Sequence, residues 1–321
     1  MNPQLTPGDA YSLISANVQR VVQGKPDVVR MAIVAMFAEG HVLLEDVPGL
    51  GKTTLARCLA ASVEGTLNRI QFTPDLLPGD ITGASIYHQS SERLEFHPGA
   101  IFANIVLADE INRGTPKTQS ALLEVMAESA VTVDGQRYAM PRPFVVLATQ
   151  NPIELEGTYR LPEAQLDRFL VRLSVGYPAH DAEVQVVLGD MAGATPAQLG
   201  PVMNQETLAG VIASVRQGQA HPAVCSYAVS LAEATRQHEL VRFGASPRGS
   251  VALVRAARAW AATDGRAYTT PDDVKAVAPA VLEHRLVLTP EAELNGRKPA
   301  DVLAEVLRAV PAPGGSATVR G

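Results

Sequence analysis

Near the amino end, apolar residues recur at helical spacing, first from Leu13-Ile14 to Val21-Val22 and again from Val28 to Phe37. This pattern predicts two helices between Ala10 and Glu39, broken at Gly24-Lys25-Pro26. The period then changes. His41-Val42-Leu43-Leu44 is a short apolar run entering a glycine-containing loop, and Thr53 to Ala61 continues as an amphipathic helix, giving strand, loop, helix. Asn68 to Phe72, Ile105 to Ala108 and Phe144 to Thr149 are further apolar runs bounded by Pro, Gly or charged residues, and they read as buried parallel strands.

Two segments between these runs have hairpin character. Gly83 to Tyr87 and Arg93 to His97 flank Gln89-Ser90-Ser91-Glu92, while Val131-Thr132-Val133 and Gln136-Arg137-Tyr138 flank the tight-turn dipeptide Asp134-Gly135. After Leu170-Val171-Arg172-Leu173 the texture becomes Ala-rich and helical, clearest over Asp181 to Leu188, Glu206 to Val215, Val224 to Thr235, Pro247 to Ala262 and Pro271 to Leu282. The expected organisation is an α/β domain over 1–180, a helical domain over 181–310, and a linker-like tail over 311–321 beginning Pro311-Ala312-Pro313-Gly314.

Composition narrows the class. With 321 residues, 46% of them hydrophobic and 19% charged, two medium domains can each bury a core without staples. Cys58 and Cys225 lie too far apart in sequence to suggest a disulfide framework or a paired zinc motif, so a cytoplasmic, reducing location is expected. The seven histidines are scattered without metal-ligand spacing. Neither a signal peptide nor a membrane span is read. A net charge of −6 with no block of Lys or Arg argues against a nucleic-acid partner.

The loop after His41 to Leu44 carries the chemistry. A triphosphate needs many N–H donors and a cation at close range, and Pro48-Gly49-Leu50-Gly51-Lys52-Thr53-Thr54 supplies bare amides, a helix amino end and the Lys52 ammonium. The Thr53 hydroxyl is the expected protein ligand to Mg²⁺. The full phosphate-loop pattern begins with glycine, and Asp46 stands in that place.

Asp109 and Glu110 follow Ile105-Val106-Leu107-Ala108, so both carboxylates leave the carboxyl end of a buried strand, where open α/β sheets bind ligands. Asp109 is expected to join Thr53 at the metal, and Glu110 to orient and deprotonate an attacking water. Asn151 closes the run Phe144 to Thr149 after Gln150, and its amide could hold that water or serve as an ordinary turn before Pro152.

The segment Ile105-Val106-Leu107-Ala108-Asp109-Glu110-Ile111-Asn112-Arg113, followed by Pro116-Lys117-Thr118-Gln119-Ser120-Ala121-Leu122-Leu123-Glu124, resembles the MoxR family of AAA+ ATPases. So do Ala148-Thr149-Gln150-Asn151-Pro152 and Leu161-Pro162-Glu163-Ala164-Gln165-Leu166-Asp167-Arg168-Phe169, and the similarity runs from about Val22 to Ala262. The resemblance implies a P-loop domain with a five-stranded parallel sheet between helices, followed by a smaller all-helical lid. It also implies a Walker A loop ending at Lys52-Thr53, a Walker B pair Asp109-Glu110, a sensor-1 residue at Asn151 and a sensor-2 arginine at Arg248 that carries nucleotide state into the lid. Arg168 resembles the arginine finger that reaches a neighbour's nucleotide, with Arg160 as the competing candidate. Asn112 and Arg113 are either relays to the neighbour or loop braces.

On this resemblance the chain is expected to bind ATP and Mg²⁺, to form a homo-oligomer, a hexamer when active, and to remodel or activate a protein partner bearing a von Willebrand factor A domain. The Gly83 to His97 hairpin resembles the insert that this AAA+ clade carries before Walker B. The competing readings are a motor subunit of a metal chelatase, which shares the hydrolysis residues, and a nucleotide-dependent scaffold with little turnover.

Overall fold

Five strands form one parallel sheet: β1 (Val42–Glu45), β2 (Leu67–Gln71), β3 (Ile105–Asp109), β4 (Val145–Gln150) and β5 (Val171–Leu173). The fold comes from a computed structural model that describes residues 5–89, 92–152, 157–191 and 193–313. The strand order is β2-β3-β4-β1-β5, so the chain places β3 and β4 between its first two strands. Every residue of β3 is buried and only Gln150 of β4 is not, because helices cover both faces of a parallel sheet. At the edge, β2 buries only Ile70, so the expectation of a fully buried strand there gives way to a polar one.

Helices α1 (Pro7–Gln19) and α2 (Pro26–Phe37) precede the sheet, and α3 (Lys52–Ala61) and α4 (Pro116–Glu128) flank it. Thr6 and Thr115 accept hydrogen bonds from the first-turn amides of α1 and α4, and each is followed by proline, which fixes where these helices begin. One apolar core lies between β4 and α4, with Leu122, Leu123, Val146 and Phe169, while another joins Leu44 and Leu55 to α1 and α2. Asp134 and Gly135 both have positive φ (50° and 77°), so they turn the hairpin of Ala130–Val133 and Gln136–Ala139 as their sequence suggested. The second hairpin, Gly83–His88 with Arg93–Pro98, follows the short helix Pro78–Thr82.

Beyond β5 lie α5 (His180–Met191), α6 (Gln205–Gln217), α7 (Pro222–Gln237), α8 (Pro247–Thr263), α9 (Pro271–Leu282) and α10 (Pro299–Ala309). Two short strand pairs, Gln219–Ala220 with Tyr268–Thr269 and Val241–Phe243 with Val287–Leu288, lie between these helices. The lid core is continuous with α1 and α2: Leu253 and Ala256 share it with Ile14, Ile33 and Phe37. Arg30 stacks on Trp260 at 3.7 Å and pairs with Asp264 at 2.5 Å, tying α2 to the end of α8. Among the described residues no helix is long and apolar enough to cross a membrane.

Candidate functional site

The turn between β1 and α3 is built for close approach. Gly49 and Gly51 have φ of +84° and +81°, and a Cβ at either would meet no heavy atom within 4 Å, so the glycines serve the backbone conformation and border open space. That space is a cavity of about 310 Å³ lined by Pro48 to Thr54 on one side and by Asp109, Glu110 and Thr149 to Asn151 on the other. Strand polarity explains the meeting: β1, β3 and β4 all end here, at Glu45, Asp109 and Gln150. The Lys52 ammonium donates to the carbonyl oxygens of Asp46 and, at 2.7 Å, Val47, which folds the loop back on the helix it opens.

Asp109 is buried, and its carboxylate is fully engaged. Oδ1 accepts from the Thr53 hydroxyl at 3.1 Å and the Thr149 hydroxyl at 2.6 Å, while Oδ2 accepts from Arg69 Nη2 at 2.8 Å and Nε at 3.2 Å. A hydroxyl and a carboxylate this close are the oxygen donors Mg²⁺ takes from a protein beside phosphate, so Thr53 and Asp109 fit the ion. Glu110 holds a left-handed backbone (φ 55°, ψ 50°), steadied by its amide donating to the Thr149 hydroxyl at 2.9 Å. Its carboxylate accepts from Gln71 Nε2 at 2.9 Å and Arg113 Nη1 at 3.1 Å. Asn112 donates to the Asn151 carbonyl at 3.0 Å, bracing one strand tip against the next.

Asp46 is an anchor. Its carboxylate accepts from Val47 N at 3.0 Å, Ser174 Oγ at 2.8 Å and Gly176 N at 2.7 Å. Burial pushes its pKa up, but the bonds from Gly176, Ser174 and Val47, together with the Lys52 charge, outweigh it and hold the carboxyl below its ordinary value. The residue in the glycine's place therefore ties the phosphate loop to the segment leaving β5 for the lid.

Arg168 and Arg248 are brought to each other and not to the phosphate loop. Both line a cavity of about 640 Å³ with His41, Phe144 and Leu170, the residues just before β1, β4 and β5, so it lies at the opposite ends of the strands. Arg142, Arg216, Arg255 and Arg285 line the same space, against two acids, Glu39 and Asp167, among the described residues. Burial and the charges of Arg216 and Arg258 lower the pKa of Arg255, which marks the region as short of anions. Arg168 Nη1 donates to the Leu123 carbonyl at 2.6 Å. Arg160 is exposed.

Sequence reasoning missed Arg69, Gln71, Thr149 and Ser174. The signal for the first two was present: they are polar residues inside a run read as buried, and β2 pairs in register with β3, setting Gln71 opposite Asp109. Thr149 was hidden within an apolar run, and Ser174 is brought to Asp46 only by the pairing of β1 with β5.

Comparison with known proteins agrees with this arrangement. Residues 41–171 match the ATPase family associated with various cellular activities (AAA), and residues 233–306 match an AAA lid domain. The chain is 44% identical to the chaperone MoxR1 of Mycobacterium tuberculosis, over 92% of this chain and 80% of that protein. It is 33% identical to the protein MoxR of Methylorubrum extorquens, over 95% and 96% of the two chains. The crystal structure of a candidate ATPase from Cytophaga hutchinsonii superposes with a TM-score of 0.87 at 36% identity, covering 95% and 96% of the two chains. With its glycine-containing loop and the Asp109-Glu110 pair meeting at the carboxyl edge of a five-stranded parallel sheet and a lid beyond them, the chain belongs to the MoxR family of AAA+ ATPases.

Proposed function

We propose that this protein hydrolyses ATP to ADP and phosphate, as a cytoplasmic homo-oligomer that is hexameric when active, and couples turnover to remodelling or activating a partner protein. The observation that carries this reading is the single cavity in which Lys52, Thr53, Asp109, Glu110 and Asn151 converge around open loop amides. Within it, the Gly49 to Thr53 amides and Lys52 would bind the outer phosphates, and Thr53 and Asp109 would hold Mg²⁺. Bound Mg²⁺ supplies charge neutralisation along the phosphate chain. Glu110 takes the proton of the attacking water once its carboxylate leaves Gln71 and Arg113, and Asn151 orients that water.

Arg168 and Arg248 complete a neighbour's site, because they face the cavity at the far ends of the strands. A guanidinium from an adjacent subunit offsets charge on the phosphoryl oxygens as the bond breaks. We take residues 1–180 as the nucleotide-binding unit, 181–310 as the lid and 311–321 as a tail. The partner is a protein with a von Willebrand factor A domain; chaperone activity is suggested by the name of the Mycobacterium relative. The deciding experiment traps Glu110→Gln with ATP and identifies co-purifying proteins by mass spectrometry. A von Willebrand-type protein supports this reading, whereas a tetrapyrrole-handling subunit favours a chelatase motor, to whose relatives the chain is 26–31% identical over 60–62% of its length.

A further inference from the structure

The lid reaches the finger segment through two adjacent buried side chains, His284, whose Nε2 lies 3.3 Å from the Phe169 carbonyl, and Arg285, which makes most of the bonds. Arg285 closes the turn Glu283–Arg285 after α9, and its side chain is only 4% exposed. Its Nε donates to the Asp167 carboxylate at 2.7 Å, and Nη2 donates to the carbonyls of Phe169 at 2.7 Å and Asp167 at 3.2 Å. Nη1 donates to the Leu170 carbonyl at 3.3 Å and to Val281 within the lid. These contacts bracket Arg168 on both sides. Ser246, which caps the helix bearing Arg248, donates to the other Asp167 oxygen at 3.4 Å.

The Arg168 side chain, by contrast, has little of its own to fix it. Nη1 meets the Leu123 carbonyl at 2.6 Å, and Nε is buried with no hydrogen-bond partner among the described residues. Its aim is therefore set by the backbone that Arg285 holds. A buried guanidinium is costly unless its donors are met, so such an ion pair is weak as a source of stability and better suited to fixing one arrangement. Lysine has the charge but not the planar fork, and cannot reach a carboxylate and several carbonyls at once.

We propose that Arg285 is a positioning residue that couples lid orientation to the aim of Arg168, so that movement of the lid in one subunit sets whether its finger engages the next subunit's nucleotide. The inference rests on the reading of Arg168 as a trans-acting finger. It assigns Asp167 as the receiving carboxylate and Ser246 as a further lid contact to it.

The test uses the full chain carrying Arg285→Lys, with Asp167→Asn as a second variant. Each is compared with Arg168→Ala and mixed in equal amounts with Glu110→Gln. Arg285→Lys should lower hydrolysis about tenfold or more while leaving affinity for a fluorescent ATP analogue and ATP-dependent assembly, read by analytical ultracentrifugation, close to wild type. Mixing with Glu110→Gln should restore hydrolysis, since that subunit brings an intact finger to an intact catalytic glutamate. The double variant Arg168→Ala/Arg285→Lys should be no slower than Arg168→Ala alone.

Wild-type hydrolysis by Arg285→Lys, or a loss that mixing does not relieve, overturns the assignment. Should Arg285→Lys fail to fold, the same two outcomes are read from Asp167→Asn, which keeps the side-chain shape. If Arg168→Ala is itself not rescued by mixing, the trans reading fails and this inference with it. Rescue of Arg168→Ala but not of Arg285→Lys overturns the role of Arg285 alone.

Discussion

Replacing Asp46 by glycine would restore the full phosphate-loop pattern, yet the bonds Asp46 makes predict a loss. Asp46 is not among the residues with positive φ, so glycine relieves no strain, while the carboxylate's bonds to Val47, Ser174 and Gly176 are all lost. Fully buried, bonds to a charged group contribute ~1.5–3 kcal/mol each, but Ser174 is exposed and water replaces part of the loss, leaving about 2 kcal/mol for the set. Glycine's backbone freedom adds ~0.5–1 kcal/mol.

At roughly 2–4 °C per kcal/mol for domains of this size class, Asp46→Gly should melt roughly 5–12 °C below the wild type. Whatever part of the ~2 kcal/mol reflects loop ordering reappears as weaker nucleotide binding, up to about thirtyfold. Asp46→Asn keeps one good acceptor and should fall between. Differential scanning fluorimetry and titration with a fluorescent ADP measure both quantities. A glycine variant that melts within a degree of the wild type and binds nucleotide as tightly would refute the anchoring role of Asp46.

Lys52→Ala should abolish nucleotide binding, whereas Glu110→Gln should bind ATP and turn it over at least a hundredfold more slowly; equal loss of binding in both, by equilibrium dialysis, rules out Glu110 as the base. Gln71→Ala removes one of the two side chains holding the Glu110 carboxylate. It should raise basal hydrolysis a few-fold, and a fall in kcat with KM unchanged would instead make Gln71 part of the reacting geometry. His41 is buried with Nδ1 accepting from Val146 N at 3.0 Å and Nε2 against the Met126 carbonyl at 3.1 Å, and burial lowers its pKa to about 4. An unfolded chain binds that proton near 6.5, so stability is retained at neutral pH and lost as pH falls from about 6.5 towards about 4, by about 2 kcal/mol at pH 5. Urea midpoints at pH 7 and pH 5 should show a smaller acid loss in His41→Gln; an unchanged loss would assign the effect elsewhere, His284 being depressed in the same direction.

What could be read without coordinates followed from how locally each feature is specified. The phosphate loop, the acidic pair after β3 and the Asp134-Gly135 turn are contiguous stretches whose backbone needs are written in adjacent residues. Arg69 and Gln71 stand out as polar residues in the run, but only the pairing of β2 with β3 sets them beside Asp109 and Glu110. The bonds from Ser174 to Asp46 and from Arg285 to Asp167 span 128 and 118 positions, so only the pairing of β1 with β5 and the docking of α9 bring them about. The placement of Arg248 was equally non-local. Its helix start was evident from Ser246-Pro247, but which end of the sheet that helix overlies depends on α1 and α2 packing between them.

The polarity of the sheet also constrains how copies of the chain can be useful to one another. The phosphate loop lies at the carboxyl ends of the strands and the arginines at the amino ends, so on the trans reading productive association runs head to tail. A two-fold dimer, which pairs like faces, cannot bring one subunit's arginines to the other's loop at both sites. An open row of subunits always leaves one terminal loop without a neighbour, and only closure makes the number of complete sites equal the number of chains. Activity per chain should therefore climb with protein concentration and level off where rings predominate.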